Sequence, residues 1–210
     1  MDQTTVDRDD DLDPGPSTDA SHPARSTGIL LAVLGLIGLG AALTLAIEKV
    51  HLLEDPSYVP SCNFSPILAC GSVMTSEQAA AFGFPNPFLG IAAFPVVVTL
   101  GVLIAGGVRL PRWILDGLAL GSLLGLTFVG WLVSQSLYEI GALCPWCMVV
   151  WTVTIPIAVV STLQALRLRR PDSEALTTLW DARFLITLLG YLVIIVLAGV
   201  RFWDYWESLL

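Results

Sequence analysis

Five runs of mostly apolar residues dominate the chain, each long enough for a helix to cross a bilayer. A crossing takes about 20 residues, because the hydrocarbon core is about 30 Å thick and a helix rises about 1.5 Å per residue. The runs cover about 28–47, 87–107, 113–135, 145–166 and 184–202. The fold class expected is all-α and integral to a membrane. The first run has a longer apolar core than a signal peptide and an acidic leader, so it is expected to be a retained helix. Composition agrees: only 13% of the 210 residues are charged, against about 25% in soluble domains.

Seven of the 18 acids lie in the first 19 residues, so the net charge of −8 comes largely from the N-terminal tail. Residues 1–26 are rich in Asp, Pro, Ser and Thr and are expected to be a disordered, cytoplasmic tail. No basic patch with interleaved aromatics is present, so nucleic acid is not an expected partner. Orientation follows from the arginines and lysines flanking the runs. With the N-terminus in the cytoplasm, Arg8, Arg25, Arg109, Arg112, Arg167, Arg169, Arg170 and Arg183 lie inside, and Lys49 and Arg201 outside. The loop 48–86 is then extracytoplasmic. Within it, Thr75-Ser76-Glu77-Gln78 reads as a capping box, with Thr75 as N-cap of a short helix over about 76–82.

The four cysteines are Cys62, Cys70, Cys144 and Cys147. In this topology all four fall at the extracytoplasmic face, where disulfides persist. Cys144-Pro145-Trp146-Cys147 opens the fourth run. A helix N-terminus stabilises a thiolate through its unpaired N–H groups and its dipole, and proline suits the first helical position. Redox chemistry is the reading preferred. Zinc usually wants two close pairs, and the loop pair is too widely spaced for that, so no metal is expected. Purely structural disulfides are the plain alternative, although a Cys-x-x-Cys closes a very short loop and makes a poor staple.

The loop pair Cys62 and Cys70, Ser76 six residues later, Asn86-Pro87-Phe88-Leu89-Gly90 opening the second run, and then Cys144-Pro145-Trp146-Cys147 resemble, in that order, the vitamin K epoxide reductase family. The resemblance covers about residues 28–166. It implies a four-helix catalytic bundle over 27–166, with 167–210 supplying a cytoplasmic connection, a fifth transmembrane helix and an outer C-terminus. It is similar to bacterial members, in which the fifth helix often leads to a fused thioredoxin-like domain. The chain ends at Leu210 without one, so a stand-alone form with a separate thioredoxin-like, DsbA-type partner is expected. High Ala, Gly and Arg with low Lys suggest a GC-rich, actinobacterial-like source and location in a bacterial inner membrane.

By position, the resemblance makes Cys147 the thiol that reacts with a membrane quinone, menaquinone being the one expected. Cys144 would exchange with Cys70, and Cys62 with the partner protein. The long loop would have to flex for Cys70 to reach Cys144. Asn86 would hydrogen-bond a quinone oxygen, and Ser76 would sit nearby on the capping helix. Trp146 and Trp151 are candidate quinone-stacking residues. Vertebrate members carry a tyrosine where Trp151 stands. An indole stacks but offers no phenol hydroxyl, so quinone reduction is implied and epoxide reduction is not. Phe88 and Phe94 read as bundle core. Gly117, Gly121 and Gly125, and likewise Gly35, Gly38 and Gly40, read as helix-packing positions.

Three rivals remain. A DsbB-type quinone reductase would carry its close cysteine pair in the first outer loop, the reverse of the order here. A transporter would show paired broken helices or an internal repeat. A membrane protein with structural disulfides only would not turn over quinone.

Overall fold

The computed structural model describes residues 23–203 and Glu207. The tail expected over 1–26 lies outside them as far as residue 22, and Arg25 and Ser26 form the first turn of a helix. Seven α-helices follow among the described residues: α1 Arg25–Glu54, α2 Cys70–Met74, α3 Pro87–Ala105, α4 Arg112–Ser134, α5 Pro145–Arg169, α6 Glu174–Asp181 and α7 Arg183–Arg201. Of these, α1, α3, α4, α5 and α7 are long and apolar enough to cross a membrane. The structure is thus all-α, with only two isolated β-bridges among the described residues.

Glycine decides how α1 meets α3. A Cβ on Gly28 would come within 2.3 Å of the Ala105 nitrogen, and one on Gly101 within 2.5 Å of the Ala32 nitrogen. Only hydrogen at these positions lets the two backbones touch, as small residues do in membrane interfaces. Gly35 and Gly38 face Val98 and Phe94 in the same way, whereas Gly40 meets nothing. α5 is the central helix, packing on α1, α4 and α7. By contrast α3 and α4 barely meet, so the bundle is open between them.

That opening corrects one expectation. A Cβ on Gly117 or Gly121 would find nothing within 4 Å, and one on Gly125 would reach only the Thr154 methyl at 3.9 Å. The stripe on α4 faces empty space instead of a helix. Phe94 is core as expected, but Phe88, in the first turn of α3, is exposed.

Proline accounts for the docking of α7. Pro156 lies inside α5 and has no N–H to give to the carbonyl four residues back. That carbonyl belongs to Thr152, and the Tyr191 hydroxyl of α7 donates to it at 2.7 Å. In lipid a freed backbone acceptor needs such a donor. At the opposite end of α5, Arg169 pairs with Asp116 of α4 at 2.9 Å. The connection to α7 holds the short α6, whose Trp180 is flanked by Arg167 at 4.9 Å and Arg183 at 4.7 Å.

The loop after α1 differs in detail from its expected form. Thr75 is the C-cap of α2, and its hydroxyl donates back to the Gly71 carbonyl at 2.9 Å. Its backbone is helical (φ −88°, ψ −8°) instead of extended as an N-cap's is, so Thr75 closes α2 and the N-cap position of the next helix passes to Ser76. That helix is a single 3-10 turn, Glu77–Ala80, with Ser76 in the N-cap position and no side-chain cap.

Candidate active site

Two short backbone pairings build the sulfur cluster. Residues 63–69 fold back on themselves, with the Phe64 N–H donating to the Leu68 carbonyl at 2.8 Å. The Gly71 N–H donates to the Asn63 side chain at 2.9 Å. This brings Cys62 beside Cys70, and the two form a disulfide. The second pairing runs between the loop and the turn before α5. Leu143 N–H donates to the Ile67 carbonyl at 2.7 Å, and Ala69 N–H to the Leu143 carbonyl at 3.0 Å. Ala69 and Leu143 are the immediate neighbours of Cys70 and Cys144, and Ile67 lies three residues before Cys70. The register therefore delivers the Cys144 sulfur to 3.2 Å from that of Cys70. No flexing of the loop is needed for this contact, contrary to the expectation from sequence.

Cys144 is the N-cap of α5 and Pro145 its first residue. The Cys147 N–H donates to the Cys144 sulfur at 3.4 Å. The helix end thus serves Cys144 directly. Its thiol is held below its ordinary value by the hydrogen bond with the Cys147 thiol, and further by the backbone N–H groups of Cys147 and Trp146, against an opposing effect of burial. The sulfurs of Cys62, Cys70 and Cys144 all lie within 4.8 Å of one another. With the first two joined, only Cys144 of the three is a thiol, an arrangement that suits exchange.

Cys147 looks the other way, into a cavity of about 660 Å³ between α3, α4 and α5. Its outer end is lined by Ser76, Gln78, Asn86, Gln135, Cys147 and Trp151. Below them Gly125, Gly121 and Gly117 form one wall, down to Trp113 near the inner end. The stretch from Gln135 to Trp113 is about 33 Å long at 1.5 Å per residue. Below the head the lining is apolar but for Ser122 and Thr154, whose hydroxyls donate to the Ala119 and Val150 carbonyls of their own helices.

Each polar residue at the head has a defined environment. The Asn86 amide donates to the Gln78 carbonyl at 2.7 Å and accepts from the Ala81 N–H at 3.0 Å, tying the 3-10 turn to the start of α3. One N–H and one lone pair remain for a ligand. Ser76 donates to the Val73 carbonyl at 2.7 Å. Trp151 is 3% exposed, and its indole nitrogen has no hydrogen-bond partner. Trp146 is not among the cavity-lining residues; it packs on the cluster of Cys62, Cys70 and Cys144. Helical geometry explains the difference: Trp151 lies four residues after Cys147 and shares its face, whereas Trp146 is turned about 100° away.

The description "Vitamin K epoxide reductase family" matches residues 29–162, more than half of the chain. The chain belongs to that family. Its members are membrane-integral oxidoreductases that act on thiols, with a quinone as electron carrier and thioredoxin-like proteins as partners. No curated protein matches the chain. Vitamin K epoxide reductase family membership and the disulfide–thiol contact together make this chain a membrane thiol–disulfide oxidoreductase. The match ends before α6 and α7, so these two helices lie outside the family core.

Sequence reasoning missed two parts of this vitamin K epoxide reductase-type site. One is the α4 glycine stripe as a cavity wall, for which spacing alone gives no sign of what stands opposite. The other is Glu48, a buried carboxylate at the outer end of α1. Its signal was a charged residue just beyond an apolar run, next to the cysteine loop.

Proposed function

We propose that this protein reoxidises a thioredoxin-like, DsbA-type partner outside the cytoplasmic membrane of a bacterium and passes the electrons to menaquinone. The catalytic unit would be residues 27–166, with the arginine-rich end of the bundle inside. One observation carries the reading: the Cys144–Cys147 pair stands between a disulfide and a lengthwise apolar cavity. Cys144 touches Cys70 on one side, and Cys147 lines the cavity on the other.

The relay runs in two-electron steps. A partner thiolate attacks Cys62, and Cys70 leaves as a thiolate while the partner is joined to Cys62. The partner's second thiol closes its own disulfide and frees Cys62. Cys70 attacks Cys144 of an oxidised Cys144–Cys147 pair, and Cys147 leaves as a thiolate. Cys62 then closes on Cys70 and frees Cys144. The reduced pair is the state seen here. Cys147 delivers the electron pair to the quinone and Cys144 closes the disulfide on it. Two electrons and two protons leave with the quinol. The Cys144 thiol, held low by the Cys147 thiol and further by the helix-end N–H groups, is suited to that closing attack.

Quinone binding is supported by the fit of the cavity. A flat, dioxygenated ring needs donors at its oxygens, and a polyprenyl tail needs a long apolar slot. The free N–H of Asn86 would serve a ring oxygen, Ser76 would lie beside it with its own O–H given to Val73, and the Trp151 indole would lie against the ring face. Replacing Trp151 by Phe takes part of that ring out of a buried site. The Michaelis constant for quinone should rise about three- to tenfold, the worth of one aromatic contact. The thermal midpoint should fall too, because the smaller ring leaves a cavity. A drop in midpoint without a change in the constant would make Trp151 structural.

The whole reading is tested by quinone reduction in detergent with two reductants, a small dithiol and a reduced thioredoxin-like protein. Cys62→Ala should abolish turnover with the protein reductant and retain it with the dithiol, which can attack deeper in the relay. Absence of quinone reduction by wild type with both reductants would overturn it.

A further inference from the structure

The disulfide that the partner must attack is closed to it. Cys62 is 2% exposed and Cys70 is fully buried. A thiolate has to approach a sulfur along the S–S axis, and no such approach exists here. Something therefore holds the Cys62 arm shut.

That element is the outer end of α1. Glu48 is buried, and its carboxylate accepts from the Tyr58 hydroxyl at 2.9 Å and from the Ser61 hydroxyl and backbone N–H. Ser61 directly precedes Cys62. Hydrogen bonds to a carboxylate are about twice as strong as neutral ones, so the two from the Tyr58 and Ser61 hydroxyls make a firm closure, with the Ser61 N–H farther off at 3.4 Å. The Cys70 arm is held separately. Lys49 donates to the Met74 carbonyl at 2.7 Å, and the pairing with Leu143 fixes the residues before Cys70. Release of Glu48 would thus loosen the arm up to Cys62, while Asn63 and Phe64 stay paired with Gly71 and Leu68 and Cys70 stays on Cys144.

The same arm carries two apolar side chains outward. Val59 is 69% exposed and Phe64 is 71% exposed, at three residues before and two after Cys62. They flank the attacked sulfur on the surface that any thiol partner must cover.

We propose that residues 58–62 form a latch: Glu48 holds it shut over Cys62, and a thioredoxin-fold partner opens it by gripping Val59 while it rests on the fixed Phe64. The inference rests on the partner reading above and deepens it. Glu48 is a positioning residue, since it touches neither sulfur nor substrate. The latch makes the enzyme selective for a protein thiol that can grip the arm over small thiols that cannot.

The test follows opening of the Cys62–Cys70 disulfide directly, without quinone, by acid quench and mass-resolved alkylation of Cys62. The intact protein is exposed to dithiothreitol or to reduced thioredoxin. Glu48→Gln should accelerate dithiothreitol opening about tenfold or more, the worth of a charge-assisted hydrogen bond, and collapse the preference for thioredoxin. A Val59→Ser, Phe64→Ser double variant should raise the Michaelis constant for thioredoxin about tenfold, the worth of burying two such side chains in part. Its limiting rate and its dithiothreitol rate should not change. An unchanged dithiothreitol rate in a folded Glu48→Gln protein overturns the latch, and an unchanged thioredoxin constant in the double variant overturns the grip. If Glu48→Gln fails to fold, Tyr58→Phe and Ser61→Ala each remove one bond and leave the carboxylate; wild-type rates in both overturn the latch equally. Because no quinone is present, failure of the quinone reading leaves these results intact. If wild type shows no preference for thioredoxin over dithiothreitol, the partner reading fails, and the Glu48→Gln rate still decides the latch.

Discussion

Cys147→Ala is expected to lose at least about a thousandfold in quinone reduction with either reductant, the scale seen when a reacting group is removed outright. Its thermal midpoint should be close to that of wild type, since Cys147 is a half-buried side chain at the edge of the cavity. The variant should also report on the step before. With no Cys147 to displace, a Cys144 thiolate lying 3.2 Å from Cys70 can only cross-link to it. Non-reducing peptide mapping should therefore find Cys70 joined to Cys144, with Cys62 alkylated. A variant that keeps its turnover, or that never shows this cross-link, would mean that the electrons take another path.

The second large effect concerns the wall of glycines. Gly121 faces open space in the cavity, so a side chain there meets no helix and the bundle should fold. Gly121→Leu would fill the slot about midway down α4. The expected result is a fall of about 10- to 100-fold in kcat/KM for a long-chain quinone, from an overpacking of about 1–3 kcal/mol. A quinone with a truncated tail should be almost unaffected, because the ring sites at Trp151 and Asn86 are untouched. Equal loss for both quinones would place the tail elsewhere, and no loss for either would leave the cavity unused.

How much of this was legible in the sequence depended on range. The spans were readable because bilayer thickness sets their length, and four of the five end within a few residues of the helices found. The first was read short. Hydropathy sees the apolar run to residue 47, whereas α1 continues to Glu54 because Glu48 and Lys49 are held by the loop above. The eight-residue α6 was invisible for the opposite reason, being too short and polar to stand out from its connection. The capping box at Thr75 failed because Thr75 ends α2 with helical backbone, which leaves the extended N-cap position to Ser76. The type of site was legible in four cysteines and one Cys-x-x-Cys. Its geometry was not, because it depends on the pairing of Leu68 with Leu143, 75 positions apart, which no local pattern encodes.

The parting of α3 from α4 has a consequence for how the enzyme meets its acceptor. On the proposed reading, a slot that opens sideways between two membrane-crossing helices would exchange its contents with lipid. The acceptor concentration that governs turnover is then its mole fraction among lipid or detergent molecules. Adding detergent at fixed protein and fixed quinone should slow the enzyme by surface dilution, although nothing has been removed from the tube. On the proposed function, the same geometry would tie the rate of disulfide formation outside the membrane to the state of the quinone pool within it. Respiration would thereby set the pace of folding for exported proteins.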